Sequence, residues 1–315
     1  MELANLVAQA QPVTARCIAT GYSWPEIPRW HQGTFYFSDM YNHRILRLAD
    51  DGTHEVYIDE STRKPVAPEP GSQEPGDTEV VLGGLGWLPD GRALVVSMHE
   101  RLVLAWDGAG LETYADLRPL AISSCNDMVV DADGRAYVTQ LGYDLFKGEE
   151  PRDSFLIVVE PDGTARNVEE IGGLSCGNGV TLTGDGTQLI VAEVGANKIT
   201  AVDREGDGTL TNRRTLAETP WLPDGICLDD QGGVWVGMPG CGYVGRFTED
   251  GRMTHAVSIP VAEGMGVACV LGGPDRSTLY ICAGLEVFDW AKSREEGLGT
   301  LWTAETEFTG GTNRP

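Results

Sequence analysis

Four short segments carry oxygen-bearing side chains that could act together: Trp24-Pro25-Glu26-Ile27-Pro28-Arg29-Trp30, Ser124-Cys125-Asn126-Asp127-Met128, Cys176-Gly177-Asn178-Gly179-Val180 and Leu222-Pro223-Asp224-Gly225-Ile226. Two carboxylates, Glu26 and Asp224, and two amides, Asn126 and Asn178, make a set of hard oxygen donors. Such donors suit Ca²⁺, Mg²⁺ or Mn²⁺ better than the thiolate and imidazole sites of zinc or copper. Two carboxylates balance one divalent ion and leave it Lewis-acidic, with positions for water or substrate. The competing reading is local, because Asn-Gly and Asp-Gly pairs are common turn formers. Four such residues at matching places in a repeat weigh against it.

The repeat is visible in the turns that follow. Gly- and Asp-rich turns at Trp30–Gly33, Pro89–Arg92, Ala132–Arg135, Gly184–Thr187, Asp230–Gly233 and Pro274–Ser277 each precede a β-branched or aromatic run, such as Thr34-Phe35-Tyr36-Phe37. From Gly33 through Gly91, Gly134, Gly186 and Gly232 to Ser277 the intervals are 58, 43, 52, 46 and 45 residues. That is near the period of a four-stranded blade. A second set of turns, including Asp107-Gly108, Pro161-Asp162-Gly163 and Gly206-Asp207-Gly208, lies between them. Two turns per repeat and little helical periodicity predict an all-β, six-bladed β-propeller with four-stranded antiparallel blades. A β-sandwich also has many short strands but no repeat of this length. Each candidate ligand then stands at the start of an inner strand, around the axis and on one face.

The chain reads as a single domain over 1–315, with blades over about 15–304, an inserted surface loop at 61–79 and a tail at 305–315. Pro65, Pro68, Pro70 and Pro75 exclude a central strand from the insert. Gly299 to Ala304 reads as a last strand, with Thr14 to Thr20 as its partner from the other end of the chain, so that no edge stays open. The net charge of −24 repels a phosphate backbone and an anionic membrane, which argues against nucleic acid and membrane partners. No apolar stretch is long enough to span a bilayer, and the first residues lack the basic leader of a secretion signal. Seven scattered cysteines suit a reducing compartment, so a cytoplasmic protein with a small-molecule substrate is expected.

With Cys125 to Gly134 (Cys-Asn-Asp-Met-Val-Val-Asp-Ala-Asp-Gly) and Pro223 to Asp229 (Pro-Asp-Gly-Ile-Cys-Leu-Asp), the four segments resemble the senescence marker protein, gluconolactonase and luciferin-regenerating enzyme family over about residues 15–302. The resemblance implies a six-bladed propeller with one divalent cation on its axis, Ca²⁺ first and Mg²⁺, Mn²⁺ or Zn²⁺ as alternatives, and hydrolysis of lactones or related esters. It makes Glu26, Asn178 and Asp224 direct metal ligands, Asn126 a ligand to metal or substrate, and Asp224 the general base. It places Asp144 where sugar-lactone members hold substrate hydroxyls. Those members carry an Arg where this chain has Ser124, and a Pro where it has Gly177. These departures count against sugar-lactone specificity. Ser124 and Tyr143 are the substrate-facing candidates, and Tyr143 with Phe146 suggests a more apolar mouth.

The implied reaction polarises a lactone carbonyl at the cation while Asp224 takes a proton from water. Alternatively, water loses its proton at the cation and Asp224 only orients it; the sequence leaves both open. Nucleophilic catalysis finds no motif, since Ser123-Ser124-Cys125 and the five histidines match no nucleophile elbow or Cys–His spacing. Cys125 and Cys176 are read as buried thiols, with a disulfide between them as the minor alternative. His43 and His99 are read as structural, Trp24 as core and Arg29 as surface. Asp127 either accepts backbone amides or touches the metal. Two further functions stay open: a hydration, elimination or rearrangement on the same metal platform, and a non-catalytic binding propeller.

Overall fold

Burial falls from the inside of each sheet outward, and the residue types follow it. The computed structural model describes residues 3–49, 53–63, 65, 80–143, 148–260 and 262–314. First strands such as Leu82–Trp87 and Cys125–Val130, and second strands such as Ala93–Ser97, Ala136–Gln140 and Val234–Met238, are buried on both faces. Near-continuous apolar runs are what such strands require. The fourth strands His54–Asp59 and Leu111–Asp116 are mostly exposed and more polar. Among the described residues the α-helices are Leu3–Gln9 and Trp290–Glu296, so the fold is all-β. None of these helices is long and apolar enough to cross a membrane.

The strands form five sheets, four of them four-stranded and antiparallel, and one eight-stranded. Six separate sheets were expected. The difference arises from the long first strand Gln11–Tyr22, which serves two sheets at once. Residues Gln11 to Thr14 run parallel to His255–Ser258, and the strand then pairs antiparallel with Gly299–Glu305, matching Ala15 to Ala304 and Thr20 to Thr300. The expected pairing of the chain's two ends is therefore present, apart from Thr14, which faces Ser258.

The first strands make a closed circuit. Pro25–His31 packs against Leu82–Trp87, and this strand against Cys125–Val130. The contacts continue through Gly177–Leu182, Ile226–Leu228 and Met265–Gly272, which returns to Pro25–His31. At the end of this circuit where the first strands turn into the second, buried Asp131 and Asp229 organise the turns. Asp229 accepts the amides of Gln231 and Gly233, the Trp235 indole and the Arg246 guanidinium. Asp131 accepts the amides of Asp133 and Arg135 and pairs with Arg204.

The segment after Glu305 does more than trail from the fold. Phe308 is buried against Trp235 and His255, with the Arg246 guanidinium 3.8 Å above its ring. Arg314 bridges to Leu182, so this stretch lies across the turn end. Most of the expected surface loop, residues 64 and 66–79, lies outside the described residues.

Candidate metal centre and active site

The candidate residues sit on irregular backbone at the starts of the first strands. The pairing of first with second strands slips between Glu26 and Arg29, between Cys125 and Met128, and between Gly177 and Val180. Each slip is a bulge, which bends a strand and re-aims its side chains. Asn126 and Asn178 lie inside two of these bulges, and Glu26 opens the third. Ile27, just after Glu26, has φ 52°, and Cys176, before Asn178, has φ 53°. A β-branched residue in the left-handed region is a real outlier, of the kind that gathers at functional sites.

Asn178-Gly179 and Asp224-Gly225 are not turns. Gly179 lies within Gly177–Leu182, and neither glycine has positive φ. Both allow neighbouring first strands to approach closely. A Cβ on Gly179 would lie 2.5 Å from the Asp224 carbonyl oxygen, and one on Gly225 2.3 Å from the Ala268 Cβ. Asp224 is further fixed through its backbone amide, 2.9 Å from the Gly237 carbonyl.

Glu26, Asp127 and Asn178 line one narrow axial cavity together with Arg29 and Gly225. Burial, then the nearby Asp224 charge, raises the Glu26 carboxyl well above its usual range, opposed by a hydrogen bond from the Ile27 amide at 3.0 Å. Burial, then repulsion from Asp127, pushes Asp224 up to about 7, although the Asn178 amide donates to it. Glu26, Asp224 and Asn178 are therefore brought together. Asn126, 6 % exposed, stands one strand over. Thr139 ties the two amide-bearing strands by bonding the Asp127 amide and the Asn178 carbonyl.

Arg29, expected at the surface, is buried and paired with Asp127. Its other N–H groups donate to the carbonyls of Leu85, Pro28 and Met128. Asp127 also accepts the amides of Met128 and Val180. Arg29 thus answers the charge of Asp127 and spends its remaining donors on backbone. A pair of mutually repelling carboxylates, Glu26 and Asp224, with amide oxygens beside them, suits a hard divalent cation. Among the described residues no three His, Cys, Asp or Glu side chains form a ligating group. A set of two carboxylates completed by Asn oxygens is a different arrangement from such a cluster.

At the mouth, Ser124 Oγ lies 2.9 Å from His99 Nδ1. Tyr143 is buried with Leu141 and Cys176; its hydroxyl donates to the Cys176 sulfur, and burial pushes the phenol up to about 12. Asp144 lies outside the described residues. All seven cysteines are free thiols, Cys125 and Cys176 included. Sequence reasoning missed the Arg29–Asp127 pair and the strained Ile27. The only sequence signal for the pair was that Arg29 follows Glu26 closely in an otherwise apolar segment.

The chain is similar to known proteins over most of its length. Residues 24–284 match the family described as SMP-30/Gluconolactonase/LRE-like region. Regucalcin of Xenopus laevis is 25 % identical over 93 % of this chain and 97 % of its own length. The gluconolactonase of Zymomonas mobilis is 26 % identical over 84 % of this chain and 78 % of its own. The structure of a luciferin-regenerating enzyme superposes with a TM-score of 0.73 at 17 % identity, covering 94 % of this chain and 96 % of that one.

Proposed function

The chain belongs to the SMP-30/gluconolactonase/LRE-like family, and from that premise we propose that it is a lactonase that depends on a divalent cation. The observation that carries this reading is the pair Glu26, buried, and Asp224, half-buried, each raised by desolvation and then by a neighbouring carboxylate, Asp224 beside Glu26 and Asp127 beside Asp224. Relatives named for gluconolactone and pentonolactone hydrolysis support the reaction class. We count the eight-stranded sheet as two blades joined by Gln11–Tyr22, which makes a six-bladed propeller with the site on its axis. The seven free thiols support a reducing, cytoplasmic setting.

Glu26, Asn178 and Asp224 would hold the cation, with Asn126 beside them and Ca²⁺ as the first choice. Bound there, a divalent cation supplies a Lewis acid for the lactone carbonyl. Asp224 takes the proton of the attacking water. Asn178, by donating to one carboxylate oxygen, leaves the other free to face that water. Hydroxide adds to the carbonyl carbon, the ring C–O bond breaks, and the proton passes from Asp224 to the departing alkoxide, giving a hydroxy acid. Arg29 holds Asp127 as a fixed charge outside this proton transfer. Ser124 and Tyr143 orient the substrate at the mouth.

The test is hydrolysis of sugar, aliphatic and aromatic lactones by chelated protein, with and without Ca²⁺, Mg²⁺, Mn²⁺ or Zn²⁺. Turnover should vanish on chelation and return with metal, and Asp224→Asn should lose about 10²- to 10⁴-fold in kcat. No turnover of any lactone with any cation would overturn the reading.

A further inference from the structure

Among the described residues, six large apolar side chains stand exposed, and five of them, Ile122, Trp221, Leu222, Leu285 and Phe288, lie in segments that join the strands at the end bearing the candidate residues. The sixth, Val56, is on the outer strand His54–Asp59. Ile122 precedes Ser124, and Trp221 and Leu222 precede Asp224. Leu285 follows Gly284, whose Cα is so close to the Trp24 ring that a Cβ would lie 2.3 Å from it; Trp24 in turn stands two residues before Glu26. Phe288, 67 % exposed, leads into the helix Trp290–Glu296. The Trp290 ring stacks on both Tyr41 and His99, and His99 bonds Ser124. This helix therefore links the Glu26 side of the mouth to the Asn126 side.

We propose that this apolar rim binds an alkyl or aryl substituent of the substrate, so that the enzyme acts on apolar lactones rather than polyhydroxylated ones; the proposal rests on the lactonase reading. Exposed apolar residues scattered singly need no explanation, but a cluster around a concave polar site is the usual form of a ligand pocket. Among the described residues, the two polar candidates at the mouth already have partners, Ser124 in His99 and Tyr143 in Cys176. A sugar ring would press several hydroxyls against Ile122, Leu222 and Leu285, and each hydroxyl left without a partner weakens binding. An alkyl chain leaves nothing unpaired and covers surface that otherwise faces water.

The experiment compares γ-lactones carrying alkyl chains of increasing length with D-glucono-δ-lactone, on metal-loaded protein. The proposal expects kcat/KM to rise about threefold per methylene over the first few carbons, with the sugar lactone the poorest substrate. Leu222→Ser combined with Phe288→Ser should flatten this dependence while leaving γ-butyrolactone turnover within about twofold. A flat chain-length profile or a preference for the sugar lactone in the unaltered protein would overturn the proposal. If no lactone is hydrolysed, the lactonase reading fails, and titration calorimetry with 2-alkylcyclopentanones decides the rim separately. Binding that tightens with chain length, and is lost in the double variant, supports it; no binding overturns it. Sedimentation adds a further outcome against it: a dimer in the unaltered protein that dissociates in the double variant would assign the rim to contact between copies of this chain.

Discussion

Asp229 and Asp224 lie five residues apart in one segment, and their surroundings are opposite. Asp229 is 2 % exposed and accepts two backbone amides, an indole N–H and a guanidinium. Asp224 has the Asn178 amide as its side-chain donor and the Asp127 charge working against it. The same contrast separates Asp131, ringed by donors, from Glu26, whose carboxylate has the Ile27 amide. At the turn end every buried negative charge is answered, and the result is rigid turns. At the site end Glu26 and Asp224 have fewer donors and a carboxylate neighbour each, which raises them both. A buried carboxylate is therefore informative by its partners, more than by its burial.

The contrast is broken most severely by Asp229→Ala. Arg246 would be left buried without its countercharge, which costs about 3–5 kcal/mol, measured by chemical denaturation. Turnover by the folded fraction should stay near that of the unaltered protein. A loss under 1 kcal/mol, as for an exposed pair, would erase the distinction between the two ends.

Gly179→Ala tests how tightly the site end is packed. Its Cβ would meet the Asp224 carbonyl oxygen at 2.5 Å and the Ile226 amide nitrogen at 2.8 Å. Overpacking of this kind costs about 1–3 kcal/mol. Because the displaced atoms belong to the Asp224 segment, calorimetry should also show weaker Ca²⁺ binding, and undiminished affinity would contradict the placement of these ligands.

Protonation sharpens the comparison further. Asp224 titrates near 7 in the cation-free fold, against an ordinary value of 3.8. The native state therefore keeps a proton that the unfolded chain has released, and stability falls as pH rises from about 4 to 7. Cation-free protein should melt about 3–6 °C lower at pH 8 than at pH 5.5. Added Ca²⁺ should recover most of the difference, and Asp224→Asn should flatten the slope.

The smallest effect is expected from Tyr143→Phe, which removes one hydroxyl donated to Cys176. Its stability should drop by about 1 kcal/mol or less, while KM rises if that hydroxyl turns toward substrate. An unchanged KM would confine Tyr143 to packing.

Legibility in the sequence follows the range of the interaction. Gly turns and β-branched runs are local, so the repeat and the four candidate segments could be read directly. Glu26, Asn178 and Asp224 converge because they occupy the same place in different repeats, which is a periodic fact visible in one dimension. Arg29 was misread because its partner, Asp127, lies 98 residues away and an Arg in isolation looks solvated. The left-handed Ile27 was hidden because β-branched side chains signal the opposite conformation. The joining of two sheets by Gln11–Tyr22 was missed because its first four residues pair in parallel, through contacts with no turn to announce them.

That first strand also sets a timetable. Gln11–Tyr22 is made well before its antiparallel partner Gly299–Glu305. At about 5–20 residues per second, roughly fifteen seconds to a minute pass while the newborn chain carries an unclaimed strand edge. During that interval the molecule must rely on shielding by its own later sheets or by a chaperone, and slowing translation anywhere between the two strands would lengthen the exposure.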